Sequence, residues 1–173
     1  FTPIAEKLPP DQLVELLSEY LGAMTEEILH RKGTVDKYIG DGLMVLFEGK
    51  APRVLAEDAC AVALAMLDRL QEFNEHQALT GGEPFQIRIG LNIGPAAVGN
   101  MGSYDRVSYT AVGRNINLAA RLESQSAADR VLVSPELREL AAGAFDFAEN
   151  DELVVAKGFE DPLLTWWLTG PST

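Results

Sequence analysis

The chain has 173 residues, 47% of them hydrophobic and 23% charged, which predicts one globular domain over residues 1–173 and argues against a disordered or low-complexity chain. Fourteen basic and 26 acidic residues give a net charge of −12, so the surface as a whole repels phosphate backbones and disfavours nucleic acid as a partner. The longest apolar run, which ends at Leu67, is far shorter than the roughly 20 residues of a membrane span, and no secretion signal opens the chain. We therefore expect a cytoplasmic domain, with membrane attachment of a parent protein left open.

The first half of the chain predicts a helix, a hairpin and a second helix. Apolar residues recur at helical spacing from Pro10 to Gly33. Extended runs at 34–39 and 43–47 follow, and the Gly-Asp-Gly turn between them predicts a hairpin with Asp41 at its tip. A longer helix is predicted from Pro52 to about His76.

The second half predicts short strands interrupted by helices. The expected strands are 85–92, 96–100, 107–112, 131–133, 145–147, 153–155 and 163–168, and the expected helices are 115–124 and one that begins at Ser134-Pro135. Hairpins and helices are interleaved without strict βαβ alternation. We therefore predict an α+β fold with an antiparallel or mixed sheet covered by helices.

Two polar features interrupt these elements in the first 90 residues. Lys37 and Asp41 place a cation and an anion four residues apart, although a solvated lysine and a turn-forming aspartate are the favoured explanation for this segment taken alone. Arg88 lies in an apolar strand, where its guanidinium must reach an edge or meet an anion.

Two further features lie near the end of the chain. Asn117 and Arg121 share one helical face with small alanines between them, which allows a ligand to approach the helix backbone closely. Lys157 precedes Gly158 in a late turn, which by itself is a weak indication of anion binding.

Four segments together resemble the class III nucleotidyl cyclases, the adenylyl and guanylyl cyclase catalytic domains. They are GTVDKYIGDGLMVLF, RIGLNIGPAAVGNMG, YTAVGRNINLAARLES and VAKGF, in the order found in that family, and the resemblance runs from Phe1 to about Leu168. It implies a ferredoxin-like α+β fold and head-to-tail pairing of two protomers that share each active site. The type it resembles most is the bacterial adenylyl cyclase, which converts ATP to cyclic AMP and pyrophosphate.

The resemblance implies a role for each matching residue. Lys37 and Thr110 match the positions that select the purine, and a lysine donor with a hydroxyl acceptor suits adenine, which implies ATP as substrate. Asp41 matches one of two aspartates that bind two divalent cations, Mg²⁺ or Mn²⁺.

The remaining matches concern the sugar and the phosphates. Asn117 matches the residue that positions the ribose, and Arg121 the arginine that stabilises charge on the α-phosphoryl group. Arg88 and Lys157 match cations that hold the terminal phosphates. Asp41 and Arg88 of one protomer would then face the other five residues of its partner, so we expect a homodimer.

The sequence departs from the family pattern in two places. The second metal aspartate belongs to a motif Phe-x-Asp-Ile-x-Gly-Phe-Thr, of which Phe1 and Thr2 are the last two letters, so we expect the chain as written to lack the first strand, to bind metal poorly and to be inactive unless that aspartate is supplied. Arg114 stands where many relatives have aspartate. Two alternatives stay open: a degenerate nucleotide-binding regulatory domain, and a guanylyl cyclase. An upstream sensor domain is expected in the parent.

Overall fold

The computed structural model describes every residue from Phe1 to Thr173 and contains five helices and eight strands. The helices are α1 (Thr2–Ala5), α2 (Pro10–His30), α3 (Pro52–Leu79), α4 (Arg114–Gln125) and α5 (Pro135–Ala141). The strands are β1 (Thr34–Ile39), β2 (Gly42–Leu46), β3 (Arg88–Leu91), β4 (Ala97–Ser103), β5 (Arg106–Val112), β6 (Arg130–Val133), β7 (Phe145–Glu149) and β8 (Trp166–Pro171). Helices and strands are interleaved along the chain, which confirms the α+β class.

The strands form one four-stranded sheet and two hairpins. The sheet has the order β3-β6-β8-β7, in which β3 and β6 run parallel while the other neighbours are antiparallel. The hairpins β1-β2 and β4-β5 are separate two-stranded sheets. The sheet is therefore mixed, as the sequence predicted.

The residues group into two compact units. The first contains residues 1–48 and 62–87, and the second contains residues 49–61 and 88–173. In the first unit, the aromatic rings of Tyr20, Phe73 and Phe85 pack together with centroid distances of 5.0–6.1 Å. These rings join Met24 of α2 and Leu70 of α3 in one apolar cluster that forms the core of that unit.

The core of the second unit lies between α4 and the sheet. Leu118 and Leu122 of α4 pack with Leu132 of β6 and with two residues of the late segment, Val154 and Ala156. The helix approaches β3 so closely that a Cβ atom on Gly90 would lie 2.2 Å from the backbone nitrogen of Glu123. Only glycine permits this spacing.

Three predicted elements differ in the structure. The strand expected over 85–92 is limited to 88–91 because both backbone groups of Phe85 bond to the side chain of Asn74, at 2.8 Å each, instead of to a neighbouring strand. The strand expected over 153–155 is a single bridge between Val154 and Leu163. The short helix α1 was not predicted; a proline in its first turn favours it. No helix combines the length and the apolar character needed to cross a bilayer.

Candidate functional site

The β1-β2 hairpin carries two of the predicted site residues, Lys37 and Asp41. Gly40 adopts φ +62° in the turn, a conformation that glycine tolerates, and Asp41 is exposed beside it. The register between the strands shifts at Asp36, which is an extra residue in β1. The ammonium of Lys37 lies 3.8 Å from the nearly buried carboxylate of Asp36, so the nearest acid to Lys37 is its neighbour and not Asp41.

The metal donors of the chain are sparse. No group of three or more His, Cys, Asp or Glu side chains that could hold a metal ion occurs in the structure. The exposed carboxylate of Asp41 is a hard oxygen donor of the kind that Mg²⁺ and Mn²⁺ prefer. Mg²⁺ is ordinarily bound through one or two carboxylates together with waters and substrate phosphates, so a single aspartate is compatible with such an ion.

Helix α4 presents the next two site residues on one face. It begins at Arg114 after Gly113, whose φ of +138° lets the chain turn sharply from β5 into the helix. Leu118 and Leu122 point into the core, and the residue before each of them, Asn117 and Arg121, is exposed. Asn117 and Arg121 therefore share one face of α4, as their spacing predicts, and the structure shows that this face is exposed.

Arg121 reaches the segment that carries Lys157. Its Nε donates a hydrogen bond to the backbone oxygen of Val155 at 2.9 Å. Val154 and Ala156 are buried against α4, and Lys157 follows them as an exposed cation. The fold thus brings Arg121 into contact with the segment that carries Lys157, which lies 36 residues later in the sequence.

Arg88 and Thr110 occupy strands of the same unit. Arg88 begins β3, and its Nε lies 3.3 Å from Oε1 of Glu123 in α4, with both side chains about half exposed. Of the two alternatives that the sequence left open for Arg88, an edge or an anion, the structure shows both: β3 is an edge strand of the sheet, and the anion is Glu123, two residues beyond Arg121. Thr110 is 8% exposed in β5, opposite Gly99 of β4.

Sequence reasoning missed a polar clamp at the start of α4. The side-chain nitrogen of Asn92 donates to the backbone oxygen and to Oδ1 of Asn115, at 3.0 and 3.2 Å. Asn115 in turn donates to the backbone oxygen of Pro95 at 2.8 Å. This clamp fixes the loop after β3 to the first turn of the helix that carries Asn117 and Arg121.

The remaining reactive groups do not join the site. Burial, with a smaller contribution from Glu57, raises the pKa of the Cys60 thiol to about 12, so this residue is not an activated nucleophile. His30 and His76 are exposed in the last turns of α2 and α3. The candidate chemistry therefore rests on cations, an amide and a carboxylate.

Comparison with known proteins gives a consistent set of relatives. The family model of the adenylate and guanylate cyclase catalytic domain matches residues 1–170. The chain is 37% identical over 127 residues to adenylate cyclase 1 of Rhizobium meliloti, which covers 73% of this chain and 19% of that protein. It thus spans about a fifth of that relative.

Two solved structures resemble the chain over nearly its whole length. The adenylyl cyclase CyaB from P. aeruginosa superposes with a TM-score of 0.92 at 32% identity, covering 97% of this chain and 87% of that one. The guanylyl cyclase Cya2 superposes with a TM-score of 0.91 at 34% identity, covering 99% and 87%. The fold is therefore that of the nucleotidyl cyclase domains, and both purine specificities occur among the similar structures.

Proposed function

This chain belongs to the adenylate and guanylate cyclase catalytic domain family, and from that premise we propose that it is an adenylyl cyclase domain that converts ATP to 3′,5′-cyclic AMP and pyrophosphate. The observation that carries the proposal is the surface of α4, where Asn117 and Arg121 lie beside the segment of Lys157. An amide and two cations on one rigid surface suit a ligand with a sugar and several phosphates.

The proposed reaction is an intramolecular displacement. The ribose 3′-oxygen attacks the α-phosphorus, the new O–P bond closes the cyclic phosphate, and the bond to the β-phosphate oxygen breaks to release pyrophosphate. Asn117 holds the ribose, and Arg121 donates to the α-phosphoryl oxygens as their negative charge grows. Arg88 and Lys157 bind the terminal phosphates; for Arg88 this requires sharing its guanidinium with Glu123.

Divalent cations complete the proposal. Bound Mg²⁺ or Mn²⁺ supplies acidification of the 3′-hydroxyl and neutralisation of the phosphates in this type of reaction. Asp41 is the residue of this chain that we propose to hold an ion, through its exposed carboxylate. The proton of the 3′-hydroxyl leaves to solvent, since neither histidine of the chain belongs to the site.

We assign adenine specificity to Lys37 and Thr110. Adenine offers an acceptor at its ring nitrogen and a donor at its amino group, which an ammonium and a hydroxyl satisfy, whereas guanine would leave a donor unpaired. Guanylyl cyclase activity is the second candidate because Cya2 resembles the chain as closely as CyaB does.

The proposal includes a homodimer. Each copy carries both the set with Lys37 and Arg121 and the set with Asp41 and Arg88, so head-to-tail pairing gives two equivalent centres. The hairpin β4-β5 also leaves Tyr104 and Val107 exposed, as expected of a surface that a second copy covers. Specific activity should therefore fall on dilution, and activity that is independent of protein concentration would count against the shared centre.

The decisive experiment restores the second metal aspartate upstream of Phe1 and measures cyclic nucleotide and pyrophosphate formed from ATP and from GTP, with Mg²⁺ and with Mn²⁺. We expect ATP to be preferred, and Lys37→Glu to lower kcat/KM for ATP by about tenfold or more while sparing GTP. Arg31→Glu is the matched control because it changes an exposed cation of the same unit by the same charge. A chain that binds ATP yet never releases pyrophosphate, even with the second metal aspartate restored upstream, would instead be a regulatory nucleotide-binding domain.

A further inference from the structure

We propose that Arg114 is a positioning residue, which stacks on Phe159 and thereby holds Lys157 in place to bind the substrate phosphates. This inference rests on the proposed cyclase function and extends it to a contact between two residues that carry no assigned role.

The contact joins the first residue of α4 to the end of the Lys157 segment. The guanidinium carbon of Arg114 lies 5.2 Å from the centroid of the Phe159 ring, within the range of a cation–π interaction. Phe159 is partly buried against the core cluster that includes Leu118 and Leu122 of the same helix. The ring therefore contacts both the core and the Arg114 guanidinium.

The backbone between Lys157 and Phe159 requires close approach to Arg114. Gly158 adopts φ +92°, a conformation that side chains rarely permit. A Cβ atom on Gly158 would lie 3.0 Å from the Cβ of Arg114. The turn after Lys157 thus lies close to the Arg114 side chain, and a side chain at position 158 would be crowded against it.

Arg114 and Arg121 attach the segment at two points about two helical turns apart. Arg121 bonds to the backbone oxygen of Val155, two residues before Lys157, and Arg114 stacks on Phe159, two residues after it. Lys157 itself has a flexible four-carbon stem and makes no side-chain hydrogen bond or ion pair, so its position depends on the backbone that bears it. Two attachments, one on each side, define that position relative to Asn117.

The charge of Arg114 is otherwise unfavourable where it lies. The amino end of a helix carries a partial positive charge and favours acidic residues, yet the first turn of α4 has none. A cation at this position breaks the local preference for the helix. Its contact with the electron-rich face of Phe159 offers the compensation, which is why we assign it a role in the site and not in helix stability.

The direct test combines kinetics with a measurement of segment order. We expect Arg114→Met and Phe159→Leu each to lower kcat/KM for ATP by about threefold to fivefold, the range of an exposed cation–π contact, and the double variant to be no worse than the single ones. Phe159→Trp, which retains an aromatic face, should remain close to the wild type. Arg130→Met is the matched control, because Arg130 stacks on Trp167 of the same core at 3.9 Å but lies outside the site.

The second arm asks whether Arg114 acts through Lys157. In a Lys157→Ala background, Arg114→Met should change kcat/KM by less than about 1.5-fold, since the group that it positions is gone. If the losses in kcat/KM from Arg114→Met and Lys157→Ala instead multiply, Arg114 binds phosphate directly and the positioning role is wrong. The same conclusion follows if Phe159→Leu leaves kcat/KM unchanged while Arg114→Lys retains the wild-type kcat/KM that Arg114→Met loses.

A third readout needs no catalytic activity. Hydrogen exchange at the amide of Phe159, which bonds to the oxygen of Ala156 at 3.2 Å, should be faster in Arg114→Met and unchanged in Arg130→Met. Unchanged exchange in Arg114→Met would overturn the inference whether or not the chain is a cyclase. A wild-type chain that forms no cyclic nucleotide, but in which exchange responds as expected, would overturn the proposed function alone.

Discussion

Gly90→Ala is the substitution for which the structure gives the sharpest expectation. The added Cβ would lie 2.2 Å from the backbone nitrogen of Glu123, 2.6 Å from the oxygen of Ala119 and 2.8 Å from the carbonyl carbon of Leu122. All three are backbone atoms of α4, so no side chain can rotate away to make room. Relief requires the helix and β3 to separate by about 1.2 Å, the shortfall from an ordinary contact of 3.4 Å.

Two consequences of that separation can be measured. Overpacking of a close backbone contact costs about 2–3 kcal/mol in unfolding free energy, which lowers Tm by roughly 5–10 °C in a chain of this size. Because α4 carries Asn117 and Arg121, a shift near 1 Å should also lower kcat by up to about 10²-fold.

Thermal unfolding followed by circular dichroism and steady-state cyclase kinetics test both expectations. Gly99→Ala is the control for the unfolding measurement, since a Cβ on Gly99 of β4 meets nothing within 4 Å. If Gly90→Ala and Gly99→Ala unfold within a degree of each other, the close packing of α4 on β3 is wrong, and with it the geometric account of the site.

Three smaller expectations follow from single contacts. Asn74→Leu should lower the unfolding free energy by about 1–3 kcal/mol in urea titrations, because it leaves both buried backbone groups of Phe85 unpaired, and equal stability would refute that account. Asn115→Ala should lower kcat clearly while changing Tm little, because the clamp to Asn92 and Pro95 locates the start of α4. A fall in Tm with unchanged kcat would make the clamp purely structural. Cys60 should resist iodoacetamide at pH 8 in the folded chain, because the buried thiol stays protonated. Its pKa of about 12 lies above the ordinary 9.0, so stability should fall as the pH rises from 9 toward 12, and Cys60→Ala should lack that part of the fall.

The sequence predicted those elements whose periodicity was long and whose ends were marked. Helix α2 ends before Gly33, and the β1-β2 hairpin turns at Gly40, where a positive φ is required. These correctly predicted elements depend on local signals, because the spacing of apolar residues, the helix ends and the turn residues lie within a few positions of one another. The α+β class follows from their order alone.

What the sequence did not predict depends on contacts between distant positions or on irregular backbone. Phe85 leaves its strand because Asn74, 11 residues earlier, supplies both of its hydrogen bonds. Lys37 meets Asp36 because a register shift in β1 breaks the strict alternation of faces that a regular strand would have. The alternation of apolar and polar residues along a strand predicts neither the Asn74–Phe85 hydrogen bonds nor the register shift in β1.

The site residues show the same limit. The sequence left an edge position or an anion open for Arg88 and could not identify Glu123, because parallel pairing of β3 with β6 and the packing of α4 on both decide that contact. It also placed Asn117 and Arg121 on one face, which is a local property. The approach of the Lys157 segment to that face is a tertiary one, carried by Val154 and Ala156 in the core.

Helix α4 thus connects stability to the proposed chemistry, and a combined variant separates the two. If Gly90→Ala lowers activity by displacing Arg121, its kinetic effect should shrink in an Arg121→Ala background, where the displaced group is absent. Its effect on Tm should persist there, because the clash with the α4 backbone does not involve the Arg121 side chain. If the kinetic losses of Gly90→Ala and Arg121→Ala simply multiply, Gly90→Ala lowers activity by a route other than displacement of Arg121. The packing of α4 on β3 would still stand in that case.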